Sequence, residues 1–355
     1  MRITKHLHLL LAAGLALLPA GCGDDEPTGP QASGLAIRVE PAHLAAAWQL
    51  SGPEGYSLAA EGDTTLADLP AGSYTLVWLD VAGWETPDPA STVRQLEADG
   101  SATFSGAYRP EIGPALVSVP AGDFYMGSER DEPGRNDDES VVQYFFSAGF
   151  RISRFEVTEA LWDQVMGGTS VSRLPKVGVT WYEALLFCNA LSVRDGLTPV
   201  YEGSGTHWIW NPLNDGYRLP LEVEWEYACR AGSVTELANG SLQHIDCEPL
   251  DPTLDAIGWS CQNSGSPVLR AHEVGLKLAN AWGLHDMHGN VWEWCWDSYY
   301  ETDADGFPTG ESLGQVNRGG AFDNFARYCR AANRHYTEPG RADVHRGFRI
   351  ARSGE

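Results

Sequence analysis

Outside the first two dozen residues the chain carries six cysteines: Cys188, Cys229, Cys247, Cys261, Cys295 and Cys329. No two of them form a C-x-x-C pair, so a structural zinc site is not expected. An even number of cysteines in an exported chain reads first as disulfides, and six allow fifteen pairings. Cys247 and Cys261 flank a short loop, 248–260, and are expected to pair; a loop that short constrains the unfolded chain by roughly 3 kcal/mol. The ten histidines show no His-x-x-x-His spacing, and the one Glu-x-x-His, Glu40-Pro41-Ala42-His43, has no second histidine near it. His285 and His288 therefore read as hydrogen-bonded loop residues. No nucleophile elbow marks a Ser-His-Asp site. Asp303-Ala304-Asp305-Gly306 lacks the length and closing pattern of an EF-hand and reads as a solvated turn.

These residues need elements to hold them. Thr180-Trp181-Tyr182-Glu183 is a capping box that opens a helix carrying Leu185, Leu186, Cys188 and Leu191, with Gly196 at its end. A second helix is expected over about Glu222–Arg230, with Glu222 and Glu226 on one face and Arg230 one turn beyond Glu226. Trp292, Trp294 and Trp296 alternate with Glu293, Cys295 and Asp297, the period of a strand with an aromatic face. Gly 39 and Pro 21 favour turns and loops over a helical bundle.

Composition bounds the partners. The 355 residues hold 24 Lys+Arg against 48 Asp+Glu, a formal charge of −24, and the lysines are Lys5, Lys176 and Lys277. A chain this acidic has no electrostatic route to a nucleic-acid backbone. Arg2 and Lys5 precede an apolar run, Leu9 to Leu18, too short to span a bilayer as a mature helix; residues 1–22 read as a signal peptide. Pro19-Ala20-Gly21-Cys22 resembles a bacterial lipobox, so lipidation is expected at Cys22. Gly23 after the cysteine resembles an outer-membrane sorting signal, and the lipid is the expected contact with the membrane. Residues 23–34 are a polar tether. Residues 35–109 alternate as short strands between turns and read as a small all-β sandwich. Leu66 to Leu76 resembles a PEGA-like or carboxypeptidase-regulatory-like hairpin. Residues 110–114 read as a linker, and 115–353 mix short strands, a few helices and long loops.

The segments of 115–353, in their order, resemble the formylglycine-generating enzyme (sulfatase-modifying factor) family. They are Val117-Ser118-Val119-Pro120-Ala121-Gly122-Asp123-Phe124 with Met126-Gly127-Ser128, Glu156-Val157-Thr158, and Gly216-Tyr217-Arg218-Leu219-Pro220 with Glu224-Trp225-Glu226-Tyr227-Ala228. Gly283-Leu284-His285-Asp286-Met287-His288-Gly289-Asn290-Val291-Trp292-Glu293-Trp294 follows, then Arg318-Gly319-Gly320 and Gly347-Phe348-Arg349. The resemblance implies a C-type-lectin-like α+β fold with little regular structure. Family enzymes oxidise a cysteine of a Cys-x-Pro-x-Arg peptide with oxygen and Cu(I), held by two cysteines five residues apart after the Gly-Gly. Soft thiolates suit that ion. Counted from Gly319-Gly320, the first thiol position is Asn324 and the second Cys329; the serine position is Ala321, and His345 stands for a downstream asparagine. Counted back from the arginine-rich strand instead, Cys329 need not be the catalytic position; on either count one thiolate is missing, so oxidase activity is not expected. Cys329 is instead expected to form a disulfide with Cys229, leaving Cys188 and Cys295 unassigned.

The resemblance also implies a calcium site: Asp286, the carbonyls of Gly289 and Val291, and Glu293, the hard oxygen donors this ion takes. C-type-lectin-like scaffolds present a loop surface near the C-terminus. Here it comprises Phe322, Asp323, Asn324, Phe325, Arg327, Tyr328, His335 and Tyr336, where aromatic area mixes with adaptable hydrogen-bonding groups. Surface lipoproteins of this fold, some diversified by retroelements, resemble the chain in layout. The expected function is a non-catalytic module binding a protein, peptide or surface ligand. The alternative is a copper-dependent oxidase acting on an exported sulfatase-type protein, with Cys329 catalytic and a second thiolate from elsewhere, such as Cys295.

Overall fold

The computed structural model describes residues 33–40, 44–81, 84–87, 89–110, 113–300 and 310–354. The signal segment, Cys22 and the turn at Asp303 to Gly306 lie outside the described residues. Among the described residues no helix is long and apolar enough to cross a membrane.

The chain forms two compact units. In the first, Gly34–Glu40 lies between Thr64–Ala67 and Ser101–Ala107, and a four-stranded sheet runs in the order Ser57–Glu61, Ala47–Ser51, Gly72–Trp78, Ser91–Leu96. Alternate residues are buried along these strands: Leu35, Ile37 and Val39, then Trp48 and Leu50, then Tyr74, Leu76 and Trp78. That period-two pattern is what the sequence alternation requires of one-sided sheets. The second unit takes the rest of the chain from Ala107, together with Leu79–Asp88.

The second unit mixes α and β with little regular structure. Its ends meet: Phe150–Ser153 pairs antiparallel with both Leu116–Val119 and Ala351–Ser353. Helix α1 (Glu159–Met166) starts at Thr158, whose hydroxyl accepts the Leu161 N–H. Helix α2 (Trp181–Arg194) starts at the capping box: Thr180 Oγ1 accepts the Glu183 N–H, and Glu183 accepts the Thr180 N–H. Its inner face, Ala184, Leu185, Phe187, Cys188 and Leu191, packs with Trp294, Phe348 and Ile350. Helix α3 covers Glu222–Arg230, as its charge spacing predicts. The Glu224 carboxylate accepts the Leu221 N–H and fixes its start. Trp225, Ala228 and Cys229 pack against Met287, Cys295 and Val316. Each large apolar side chain so enclosed contributes roughly 1.5–3 kcal/mol. A short α4 (Pro252–Ile257) is capped by Asp251.

The sheet that carries the candidate site has the order His335–Thr337, Gly314–Arg318, Trp292–Tyr299, Arg346–Gly347. The tryptophan-rich segment is a strand, as its alternation implies, and its pairing with Gly314–Arg318 shifts register between Trp294 and Ser298.

Candidate functional site

The site grows from the two glycines that end the Gly314–Arg318 strand. Gly319 and Gly320 both take positive φ, 99° and 83°. A Cβ on Gly320 would meet the Tyr328 carbonyl oxygen at 2.8 Å and Cys329 Sγ at 2.9 Å. Only glycine lets the chain fold back this tightly over its own next turn. The turn is then closed by Asn324, whose Oδ1 accepts the Ala321 N–H at 3.0 Å and whose carbonyl accepts the Cys261 N–H at 3.0 Å. A 3₁₀ turn, Ala326–Cys329, follows.

The outer residues of this turn form one part of a surface. Phe322 is buried, its ring stacked on His345 at 5.2 Å, while Asp323 meets His345 Nε2 at 3.1 Å. Phe325 and Tyr328 are exposed and stacked on each other at 6.3 Å. The Arg327 guanidinium lies over Phe325 at 5.5 Å and pairs with Asp246. His335 and Tyr336 stand on the neighbouring strand, His335 against Trp292 at 5.1 Å and Tyr336 on Tyr299 at 4.6 Å. The two groups join through His345, whose carbonyl accepts the Trp292 N–H. The structure thus places the eight surface residues on one connected region, with Phe322 as support. It adds Asp246, His345, Trp292 and Tyr299. Asp246 was findable from its place beside Cys247; the others enter only through pairing across the sheet.

Cys247 and Cys261 are joined by a disulfide. Cys229 and Cys329 are not, which corrects the expected bridge: both are free and fully buried. The reason is His288. Its Nδ1 donates to the Cys329 carbonyl at 2.8 Å, and its Nε2 accepts the Ala238 N–H at 3.1 Å and lies 3.5 Å from Cys229 Sγ. The imidazole is held neutral on this side of the fold: burial pulls its pKa down to about 4. Cys229 packs with Trp225 and Met287, and Cys329 with Leu237, Leu242 and Ile257. Burial raises the pKa of all four free thiols; that of Cys329 is pushed up to about 12, first by burial and then by Asp323. A thiolate, not a thiol, ligates Cu(I). With Asn324 in the first thiol position and protonated Cys329 in the second, these residues do not fit a two-thiolate copper site.

Of the carried-over calcium ligands, the two carboxylates already have protein partners. Both Glu293 oxygens accept from Arg349, at 2.6 and 2.7 Å, and Oε2 also accepts the Trp225 Nε1–H at 2.6 Å. Asp286 takes positive φ, 59°, and its Oδ2 accepts the Gly275 N–H at 2.7 Å. Gly289 and Val291 remain beside them, but the second carboxylate of the donor set is committed to an arginine. Among the described residues no three His, Cys, Asp or Glu side chains group to hold a metal ion. What stands here instead is a buried acid group. Glu156 accepts Asn290 Nδ2–H and the Val291 N–H, and burial, then Asp286 and Glu293, raise its pKa far above the carboxylate range.

Residues 102–354 match the family model described as sulfatase-modifying factor enzyme 1-like domain. The chaperone protein LppX of Paenibacillus barcinonensis is 28% identical over 242 residues, covering 58% of this chain and 80% of that protein. The formylglycine-generating enzyme of Mus musculus is 27% identical over 306 residues, covering 72% and 79%. Among solved structures, Treponema denticola variable protein 1 is 27% identical with a TM-score of 0.57, covering 67% of this chain and 95% of that one.

Proposed function

Because the chain belongs to the sulfatase-modifying factor enzyme 1-like domain family, we propose that it uses the family scaffold as a non-catalytic ligand- or protein-binding module. In this reading it is exported, lipidated at Cys22 and held at the outer membrane, and it binds through the region around Phe325, Arg327, Tyr328, His335 and Tyr336. The observation that carries it is the pair Asn324 and Cys329. The asparagine spends its side chain closing the turn, and the cysteine is a buried, protonated thiol. The scaffold around them is intact while the metal-binding sulfurs are absent or masked. Exposed, stacked aromatics beside Arg327 and His345 supply a rigid contact face with polar edges, a composition suited to recognition. A protein named chaperone protein LppX lies among the relatives, which supports export and contact with another polypeptide.

Thiol reactivity in residues 23–355 tests this. The folded protein is expected to react slowly at all four free cysteines with a disulfide reagent, and to compete poorly for Cu(I) against a chromophoric chelator. Two fast thiols together with one tightly held Cu(I) would favour the oxidase reading and send the search to Cys295 or Cys329.

A further inference from the structure

A cleft lies between α2, the Tyr201–Ser204/His207–Trp210 hairpin and the far end of the site sheet. Its volume is about 780 Å³. Trp181, Tyr182, Trp208 and Trp296 supply much of its wall, with Asp297 and Glu338, and among the described residues no Lys, Arg or His lines it. Its floor is rigid. Trp296 stacks on Tyr201 at 4.9 Å and 17°, packs on Trp181 at 5.2 Å, and meets Trp210 nearly edge-on at 6.1 Å. Trp208 differs. Its Nε1–H is tied to the Gly205 carbonyl within the hairpin, it stays partly exposed, and among the described residues no ring or cation stacks on it.

Asp297 is the second unusual feature. Its acidic neighbours on α3 each have an arginine: Glu222 pairs with Arg334, and Glu224 with Arg218, both at 2.6 Å. Asp297 has one backbone donor, the Glu222 N–H at 2.6 Å, and among the described residues no cation within ion-pair distance. Burial, then Glu222, then Glu224, lift its pKa to about 6. A carboxylate without a counter-charge, on the wall of an aromatic cleft, is a group that a ligand cation would complete.

We propose that this cleft binds the guanidinium or ammonium group of a basic ligand, stacked on Trp208 and paired with Asp297. The chemistry follows from what lines the cleft. An indole face attracts cations, two carboxylates do the same, and nothing basic opposes entry. The overall charge of −24 adds a favourable long-range field. The ligand's source is a free amine or guanidine, or a basic side chain of a polypeptide.

Calorimetric titration of residues 23–355 with Nα-acetyl-arginine amide tests this, with the isosteric, neutral citrulline amide as control. Arginine is expected to bind at least about tenfold tighter than citrulline. Trp208→Ala, on an exposed hairpin, and Asp297→Asn, which keeps an acceptor for the Glu222 N–H, are each expected to weaken it by about fivefold or more. The same arginine within a short glycine peptide separates the sources: a further gain in affinity points to a polypeptide, equal affinity to a free cation. Equal binding of citrulline, no binding of arginine, retention of full affinity in both variants, or preference for a neutral saccharide would each overturn the proposal. These readouts are independent of copper and of the surface around Phe325.

Discussion

Arg349→Met is expected to remove about 3–5 kcal/mol of stability, the usual cost of stranding a buried charge. Arg349 is fully buried and binds both oxygens of the equally buried Glu293. It also donates to the carbonyls of Ser153 and His285, both at 3.0 Å. Methionine fills much of the space but leaves Glu293 beside Glu156 and Asp286 with no cation among them. The carbonyls lose their donors as well. In a unit of this size the loss lowers the melting temperature by roughly 10 °C. Denaturant unfolding at pH 7.5 measures it. The deficit shrinks at pH 5, where the stranded carboxyls take up protons. A loss under about 1 kcal/mol at pH 7.5 would mean that solvent reaches the group.

The second large effect concerns Asp286 and Glu156. Burial is the main cause of the raised pKa of each; that of Asp286 lies at about 6. One Asp286 oxygen, Oδ1, is buried and has no partner among the described residues. In the folded protein these carboxyls hold protons at a pH where the unfolded chain has released them. The stability they allow is therefore fully present below the unfolded pKa, near 4, and falls as pH rises toward 6. A shift from 3.8 to about 6 corresponds to about 3 kcal/mol for Asp286 alone. Asp286→Asn is expected to abolish most of that slope and to raise stability at pH 7.5 by about 1–3 kcal/mol. Asparagine suits the positive φ at this position, keeps an acceptor for the Gly275 N–H, and brings an amide in place of the unpartnered oxygen. Millimolar calcium is expected to leave both proteins unchanged. Stabilisation of the parent by calcium, lost in Asp286→Asn, would restore the ligand set implied by resemblance.

Local signals in the sequence were accurate where a few residues decide the outcome. The Thr180/Glu183 capping box, the Glu222–Arg230 helix and the alternating tryptophan strand depend on spacing within one element. The Cys247–Cys261 bridge depends on a short loop. What spacing did not show has a different cause. Glu293 reads as a metal ligand until Arg349, 56 residues later, takes both its oxygens. Cys229 and Cys329 look like partners until His288, far from either in sequence, occupies the space between them. The Trp208–Asp297 cleft had no sequence signal, because α2, the hairpin and the sheet meet only in the folded chain. Order of motifs revealed the family; the state of each thiol required burial, which spacing does not encode.

The most direct measurement incubates residues 23–355 with Cu(I), oxygen and a Cys-x-Pro-x-Arg peptide, beside an active family enzyme, and reads the peptide mass. The account predicts an unchanged peptide here and the aldehyde in the control. Conversion of the cysteine to formylglycine by this protein would contradict it, and would require a thiolate pair that Asn324 and the buried Cys329 do not provide.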